Sequence, residues 1–121
     1  MKESLPIDDP RYRRYTLVLD LDETLVHFDI KSFDYFIRPF CAQFLTDMAK
    51  LYEIVIFTAS LKIRANSILD KLDPENTLIS HRLYRGSTRL FGNAFIKDLS
   101  ALGRPIERTL IIDNFKDNFQ R

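Results

Sequence analysis

The sequence predicts an α/β fold built on a doubly wound, parallel central sheet. Three short apolar runs rich in β-branched residues are typical of strands buried on both faces of such a sheet. These runs are Thr16–Leu19, Ile54–Phe57 and Leu110–Ile112. Helical patterns lie between them, and strands that alternate with helices favour βαβ units with right-handed crossovers.

Size and composition are those of one intracellular domain. The 121 residues fit a single core, and residues 1–14, with their prolines and alternating charges, are expected to form a leader or linker before a core over residues 15–121. A net charge of +1 does not indicate binding to nucleic acid or to an anionic membrane. One cysteine, Cys41, excludes an intrachain disulfide and suits a reducing compartment. We expect a nuclear or cytoplasmic chain without a membrane or direct nucleic-acid partner, and the oligomeric state is unknown.

Two amphipathic helices are predicted between the first two runs and after the second. The first begins with Pro39 at its first helical position, and the second follows Ser60 as N-cap and stops at Asp73–Pro74. The predicted buried faces comprise Phe40, Phe44, Leu45, Met48 and Leu51 in the first helix, and Leu61, Ala65, Ile68, Leu69 and Leu72 in the second. The segment Leu83–Ile96 alternates weakly and contains two glycines, so short strands or hairpin arms are expected there.

Each apolar run ends at a polar residue that can carry chemistry. Asp20, Thr58 and Asp113 follow the first, second and third runs. In an open α/β sheet, ligands bind beyond the carboxyl ends of the strands. We therefore expect these three residues, which are distant in sequence, to converge on one crevice.

The first of these ends carries two acids at a spacing suited to phosphoryl transfer. In extended chain Asp20 and Asp22 face the same side. One carboxylate can attack phosphorus and form an aspartyl-phosphate, while the other gives and takes a proton. A cation must offset the repulsion, and Mg²⁺ prefers carboxylate, phosphate and water oxygens. The structural alternative is an acidic turn in which Asp22 or Thr24 caps a helix.

The other two ends offer an anion site and further metal ligands. Thr58 and the main-chain amides of Ala59–Ser60 open a helix, which is a common site for a phosphate. Lys97 is the best-placed cation for the developing negative charge. Asp113 would complete the metal site, with Asn114 in support. Each has a structural alternative: a helix cap, a surface Lys–Asp pair, or a strand-ending turn.

Four segments together resemble the haloacid dehalogenase superfamily, and within it the NLI-interacting-factor-like family of small C-terminal-domain phosphatases. In order, the motifs are Asp20–His27, Tyr52–Ser60, Phe95–Ser100 and Leu110–Asn114. The resemblance covers about Tyr15 to Phe119. It implies a three-layer Rossmann-like fold with a minimal cap and an aspartate-based, Mg²⁺-dependent phosphoserine or phosphothreonine phosphatase, with the C-terminal domain of RNA polymerase II as a candidate substrate.

The resemblance also implies a role for each matching residue. Asp20 is the nucleophile and a metal ligand, and Asp22 is the general acid/base that gives its main-chain carbonyl to the metal. The remaining residues orient the first motif (Thr24), hold the phosphoryl group (Thr58, Ala59, Lys97), complete the metal site (Asp113, Asn114) and contact the peptide (Arg85).

The chain departs from the family pattern in ways that bear on substrate choice. Only Phe28–Phe36 separates the first motif from the following helix, where the polymerase-tail phosphatases carry a longer insertion. Relatives continue after the fourth motif with another strand and a helix, so the third run is expected to be an uncovered edge strand. Two alternatives stay open: an inactive binding module similar to a mitochondrial import receptor, which Lys71–Pro74 faintly resembles, and a phosphatase of small molecules.

Overall fold

The computed structural model describes residues 15–92, 94–98, 102–112 and 119–120. The predicted leader, residues 1–14, lies outside this range. The strands are β1 (Tyr15–Leu19), β2 (Val26–Asp29), β3 (Asp34–Ile37), β4 (Tyr52–Phe57), β5 (His81–Leu83), β6 (Arg89–Phe91), β7 (Ala94–Asp98), β8 (Thr109–Ile112) and β9 (Phe119–Gln120). The helices are α1 (Cys41–Ala49) and α2 (Lys62–Leu72).

A four-stranded parallel sheet forms the centre of the described structure, in the order β5-β4-β1-β8. The three predicted strands are β1, β4 and β8, and all three lie side by side. The chain moves outward from β1 to β4 and β5, then returns across β1 to add β8 on its other side. The strand order therefore reverses between β1 and β8, and such a switch point opens a ligand crevice at the carboxyl ends of the two strands.

The direction of each connection decides which face of the sheet it covers. Because parallel crossovers are right-handed, the two outward connections place α1 and α2 on one face, and the return to β8 covers the other. Accordingly, Leu45 of α1 and Ile68 of α2 share a buried cluster with Leu17 of β1. Leu102, on the return connection, packs with Val18 on the opposite face. The doubly wound α/β fold is confirmed.

Helix α2 matches the predicted buried face better than α1 does. Its Ala65, Ile68 and Leu69 are fully buried. In α1 only Cys41 and Leu45 are buried. The predicted face was wrong at its ends, since Phe40, Leu51 and Leu61 are 85%, 62% and 57% exposed. These three residues lie outside the helical turns that contact the sheet.

Both predicted helix starts were wrong by one or two residues. Helix α1 begins at Cys41 after Phe40, which has a φ of 65°, so Pro39 precedes the helix. Helix α2 begins at Lys62 after Leu61, which makes no side-chain cap. Ser60 does not cap α2, because its hydroxyl donates instead to a carboxylate oxygen of Asp22.

Strand β8 was correctly placed, but its predicted burial on both faces was wrong. Leu110, Ile111 and Ile112 are 46%, 39% and 42% exposed, whereas Leu17 and Val18 in the neighbouring β1 are buried. Within the described residues β8 is an edge of the parallel sheet. Among those residues its apolar side chains have a neighbouring strand on one side only.

Short antiparallel elements fill the two remaining connections. The β2–β3 hairpin is the whole insertion between β1 and α1, as expected for a minimal cap. Strands β6 and β7 form a second hairpin within the predicted segment, and β9 pairs with β7 in parallel. Among the described residues, no helix has the length and apolar character that crossing a membrane requires.

Candidate active site

Asp20 lies at the switch point of the sheet. It follows the last residue of β1, and its amide donates to the carbonyl of Ile112 at the end of β8, over 3.1 Å. Its side chain is nearly buried, at 7% exposure. The amide of Leu21 donates to Asp20 Oδ1 over 2.8 Å, which fixes the orientation of the carboxylate. The end of the central strand thus holds a buried acid in the predicted crevice.

A tight loop after Asp20 turns the chain back toward the hairpin. The carbonyl of Leu21 accepts from the amides of Leu25 and Val26, over 3.0 and 3.1 Å. Glu23 has a left-handed φ of 61°, and its amide donates to the carbonyl of Val26 over 2.7 Å. Because Leu21 and Leu25 are buried, they anchor this loop in the core and hold its acids at the sheet edge.

Asp22 forms a charged hydrogen-bonded cluster with the start of α2. Ser60 Oγ donates to Asp22 Oδ2 over 2.9 Å. Arg64 reaches both carboxylate oxygens, with Nη2 2.8 Å from Oδ1 and Nη1 3.2 Å from Oδ2. Arg64 Nη1 also lies 2.8 Å from Ser60 Oγ. The loop after β1 is therefore tied to the loop after β4, as the predicted convergence of strand ends requires.

Thr58, Ala59 and Arg85 lie together beside this cluster. Thr58 is 1% exposed, and its hydroxyl accepts from the amide of Ser60 over 3.0 Å. Arg85 Nε donates to the carbonyl of Ala59 over 2.7 Å, and its own amide donates to the carbonyl of Ser60 over 3.0 Å. The segment between β5 and β6 is thus hydrogen-bonded to the loop after β4, where the anion site is predicted.

The remaining predicted site residues are described in part or not at all. Thr24 lines a cavity of about 360 Å³ with Leu19 and Ile112. The backbone of Lys97 lies in β7, opposite Phe119 of β9. The side chain of Lys97 lies outside the described residues, as do Asp113 and Asn114.

Arg64 was not among the predicted site residues, although a signal for it existed. Ser60 and Arg64 are four residues apart at the start of a predicted helix, so both reach the same side of it. Together with Asp22, Phe28, Leu61 and Arg85 they line a groove of about 450 Å³ next to the loop of Asp20. The term "flanking groove" is used below for this space.

Two titratable side chains near the site have shifted pKa values. The pKa of Glu23 is lowered, chiefly by its hydrogen bond with His27 at 3.0 Å and then by the amide of Phe28. The pKa of the Cys41 thiol is raised by burial. Cys41 is buried, at 5% exposure.

The parallel sheet, with a buried aspartate at the end of its central strand, defines a fold of the haloacid dehalogenase type. The family model of NLI interacting factor-like phosphatases matches residues 15–121. The chain therefore belongs to that family. The fold is also similar to that of fission yeast RNA polymerase II CTD phosphatase Fcp1, solved as a variant bound to beryllium fluoride. The TM-score is 0.72 at 22% identity, over 88% of this chain and 38% of that one.

Curated relatives carry two kinds of name. CTD small phosphatase-like protein 3 of Caenorhabditis elegans is 42% identical, over 96% of this chain and 47% of the relative. Human mitochondrial import inner membrane translocase subunit TIM50 is 35% identical, over 95% of this chain and 33% of the relative. The chain thus spans about half of the first relative and about a third of the second.

Proposed function

We propose that this chain is the core of a Mg²⁺-dependent protein serine/threonine phosphatase that works through an aspartyl-phosphate. The observation that carries the proposal is the pair Asp20 and Asp22 at the carboxyl end of β1, where the strand order reverses. A buried acid with a second, half-exposed acid two residues on suits two different roles in one reaction. The names of the phosphatase relatives support the same reaction class.

The reaction takes two steps on the chain's own residues. A carboxylate oxygen of Asp20 attacks phosphorus, and the bond from phosphorus to the serine or threonine oxygen breaks. Asp22 gives a proton to that leaving oxygen. Asp22 then takes a proton from water, the water oxygen attacks phosphorus, and the bond to Asp20 breaks to release inorganic phosphate.

The loop after β4 and strand β7 would bind the phosphoryl group. The Thr58 hydroxyl and the main-chain amide of Ala59 would donate to its oxygens. Lys97 would neutralise the charge that develops on them in the transition state. Thr24 would orient the loop of Asp20, and Arg85, which borders the flanking groove, would contact the peptide.

The donor set fits magnesium. Asp20 would supply a carboxylate and Asp22 a main-chain carbonyl, and both are hard oxygen donors of the kind Mg²⁺ prefers. Asp113 follows Ile112, whose carbonyl accepts from the amide of Asp20, and with Asn114 it would add the remaining protein oxygens. Bound there, the ion would offset the repulsion between the attacking carboxylate and the phosphate.

The substrate is proposed to be a phosphorylated protein in the nucleus or cytoplasm, with the RNA polymerase II C-terminal domain as the first candidate. The β2–β3 hairpin is too short to roof the crevice with a separate domain, so a protein segment can approach it. A phosphatase of small metabolites is the rival that this feature disfavours. Rapid turnover of sugar phosphates with none of phosphopeptides would reverse that choice.

Turnover of an aryl phosphate, with Mg²⁺ and with chelator, tests the proposal. Asp20→Asn should lower kcat/KM by about a thousandfold or more, because it removes the nucleophile. Asp47→Asn is the matched control, since that acid lies on α1 and contacts Gln43 rather than the crevice. Retention of more than a tenth of the wild-type rate by Asp20→Asn, or full activity in chelator, would contradict the mechanism.

A binding module without catalysis is the second candidate, because TIM50 is among the relatives. The presence of both Asp20 and Asp22 argues against it, since binding alone does not require either acid. A folded wild-type sample that turns over neither aryl phosphate nor phosphopeptide in Mg²⁺ would favour the binding module.

A further inference from the structure

Arg64 holds the hydrogen-bonding positions of Asp22 that the proposed reaction needs. Its guanidinium contacts both carboxylate oxygens, at 2.8 and 3.2 Å, and Ser60 Oγ lies on the same side. To protonate a leaving oxygen, Asp22 must face that oxygen at hydrogen-bond distance. Arg64 and Ser60 together occupy three of the roughly four acceptor positions of the Asp22 carboxylate, so a substrate that takes a proton from Asp22 competes with Arg64 for this side chain.

The Asp22–Arg64 ion pair is of a kind that exchanges readily. The side chains of Arg64 and Asp22 are 40% and 37% exposed. Ion pairs this open to water contribute little to stability, because water solvates both charges almost as well. Arg64 is also anchored on a regular helix, so its side chain can turn without disturbing the backbone of the site.

The flanking groove offers Arg64 a different anion. Among the described residues, its charged side chains are the guanidinium groups of Arg64 and Arg85 and the carboxylate of Asp22. When Asp22 faces the leaving group, the groove keeps two cations and apolar walls from Phe28 and Leu61. Phe28 is held by an edge-to-face contact with Phe33, with ring centroids 6.3 Å apart. Such a groove favours a short peptide segment that carries a negative group.

We propose that Arg64 is a specificity-determining residue that binds an acidic group next to the phosphorylated residue. The proposal rests on the proposed phosphatase function and identifies a class of substrate for it. Arg64 lies within hydrogen-bond distance of the acid that serves the leaving oxygen. Since a peptide advances by roughly 3.3–3.6 Å per residue, the anion belongs one or two residues from the phosphorylated one.

Arg64 is paired with an anion both before and after the substrate replaces Asp22. In the free protein the Arg64 fork is satisfied by Asp22, and in the complex by the carboxylate of a substrate Glu or Asp, or by a second phosphate. Both are planar or tetrahedral oxyanions that a guanidinium binds with two hydrogen bonds. A replacement anion favours the release of Asp22 toward the leaving oxygen, which couples substrate recognition to the proposed reaction.

Matched phosphopeptides test the proposal on the wild-type chain itself. The peptides share one phosphoserine sequence and differ at a single position within two residues of the phosphorylated serine. That position carries Glu, Gln or a second phosphoserine. We expect kcat/KM about tenfold higher for Glu than for Gln at one of these positions, as for one partly exposed charge-assisted pair. The peptide with the second phosphoserine should show whether phosphate or carboxylate is preferred. Equal turnover of the Glu and Gln peptides at all positions would overturn the proposal.

Variants on α2 then assign the preference to Arg64. Arg64→Gln should reduce the Glu-over-Gln ratio to near one, mainly through KM, while Arg64→Lys should keep part of it. Lys62→Gln removes the same charge from the same helical turn but lies over Tyr84, outside the groove lining, and should keep the full ratio. An unchanged ratio in Arg64→Gln refutes the assignment. Loss of all aryl phosphate turnover in the wild type would refute the phosphatase function instead.

Discussion

Replacing Glu53 by Gln is expected to destabilise the fold strongly, because Glu53 is a fully buried charge with several partners. Arg104 binds it with two hydrogen bonds, Nε to Oε1 at 2.7 Å and Nη2 to Oε2 at 2.6 Å. Thr16 Oγ1 donates to Oε1 over 3.1 Å, and His81 Nε2 lies 3.3 Å from Oε2. The cluster joins β1, β4, β5 and the return connection to β8.

The size of the effect follows from burial. The side chains of Glu53 and Arg104 are both 0% exposed, so the amide variant removes a buried negative charge that lies against a buried guanidinium. Removing one partner of a buried ion pair costs about 3–5 kcal/mol. A domain of this size has about 5–15 kcal/mol in all, so the variant should retain a marginally stable fold at best.

Urea unfolding followed by far-UV circular dichroism measures the change. With a slope of roughly 2 kcal/mol per molar, the midpoint should fall by about 2 M. Glu107→Gln, an exposed acid on the same return connection, is the control and should shift the midpoint by less than about 0.3 M. A shift for Glu53→Gln as small as that of the control would refute the reasoning.

A second variant separates the lost ion pair from lost packing. Exchanging both partners for Met removes both charges while keeping apolar volume, and such exchanges are often neutral. The double variant Glu53→Met, Arg104→Met should therefore be more stable than either single variant. If the double variant is the least stable of the three, the buried charges themselves hold the return connection in place.

Two further predictions concern stability and thiol chemistry. Asp73→Ala should cost about 2–3 kcal/mol, because its buried carboxylate accepts from the amides of Thr77, Leu78 and Ile79. The control Asp70→Ala, whose exposed carboxylate pairs with Arg82, should cost less than about 1 kcal/mol in the same urea assay. Cys41 should resist iodoacetamide in the native chain and react on unfolding, because burial raises the pKa of its thiol and keeps the reactive thiolate scarce; stoichiometric labelling in native buffer at neutral pH, read by mass spectrometry, would contradict this.

The sheet could be predicted because the apolar composition of its strands indicates that they are buried. A continuous apolar run such as Ile54–Phe57 is removed from water only when both faces of the sheet are covered. The helix starts were less predictable, because Pro39 and Ser60 suit a cap by residue type while tertiary contacts use them otherwise. Ser60 donates to Asp22, a partner 38 residues away that no local pattern reveals.

The site was predictable as a set of strand ends but not as a network. Parallel topology brings the ends of β1 and β4 together, and Ser60 donates to Asp22 between the loops that follow them. The convergence of Asp20, Thr58 and Asp113 on one site stays a prediction. The Arg64 fork depends on which rotamer a long, exposed side chain adopts next to a distant carboxylate. The buried Glu53–Arg104 pair likewise joins residues 51 apart, and local periodicity carries no information about it.

The strand order also determines when each edge of β1 can find its partner strand during synthesis of the chain. Thr16 of β1 pairs with Glu53 of β4 on one side and with Thr109 of β8 on the other, so the second pairing closes a loop more than twice as long. At about 5–20 residues per second, a ribosome needs roughly 3–10 s to make the chain between those two partners. During those seconds β1 has an unpaired apolar edge. Nascent chains should therefore require chaperones most between the synthesis of β4 and that of β8.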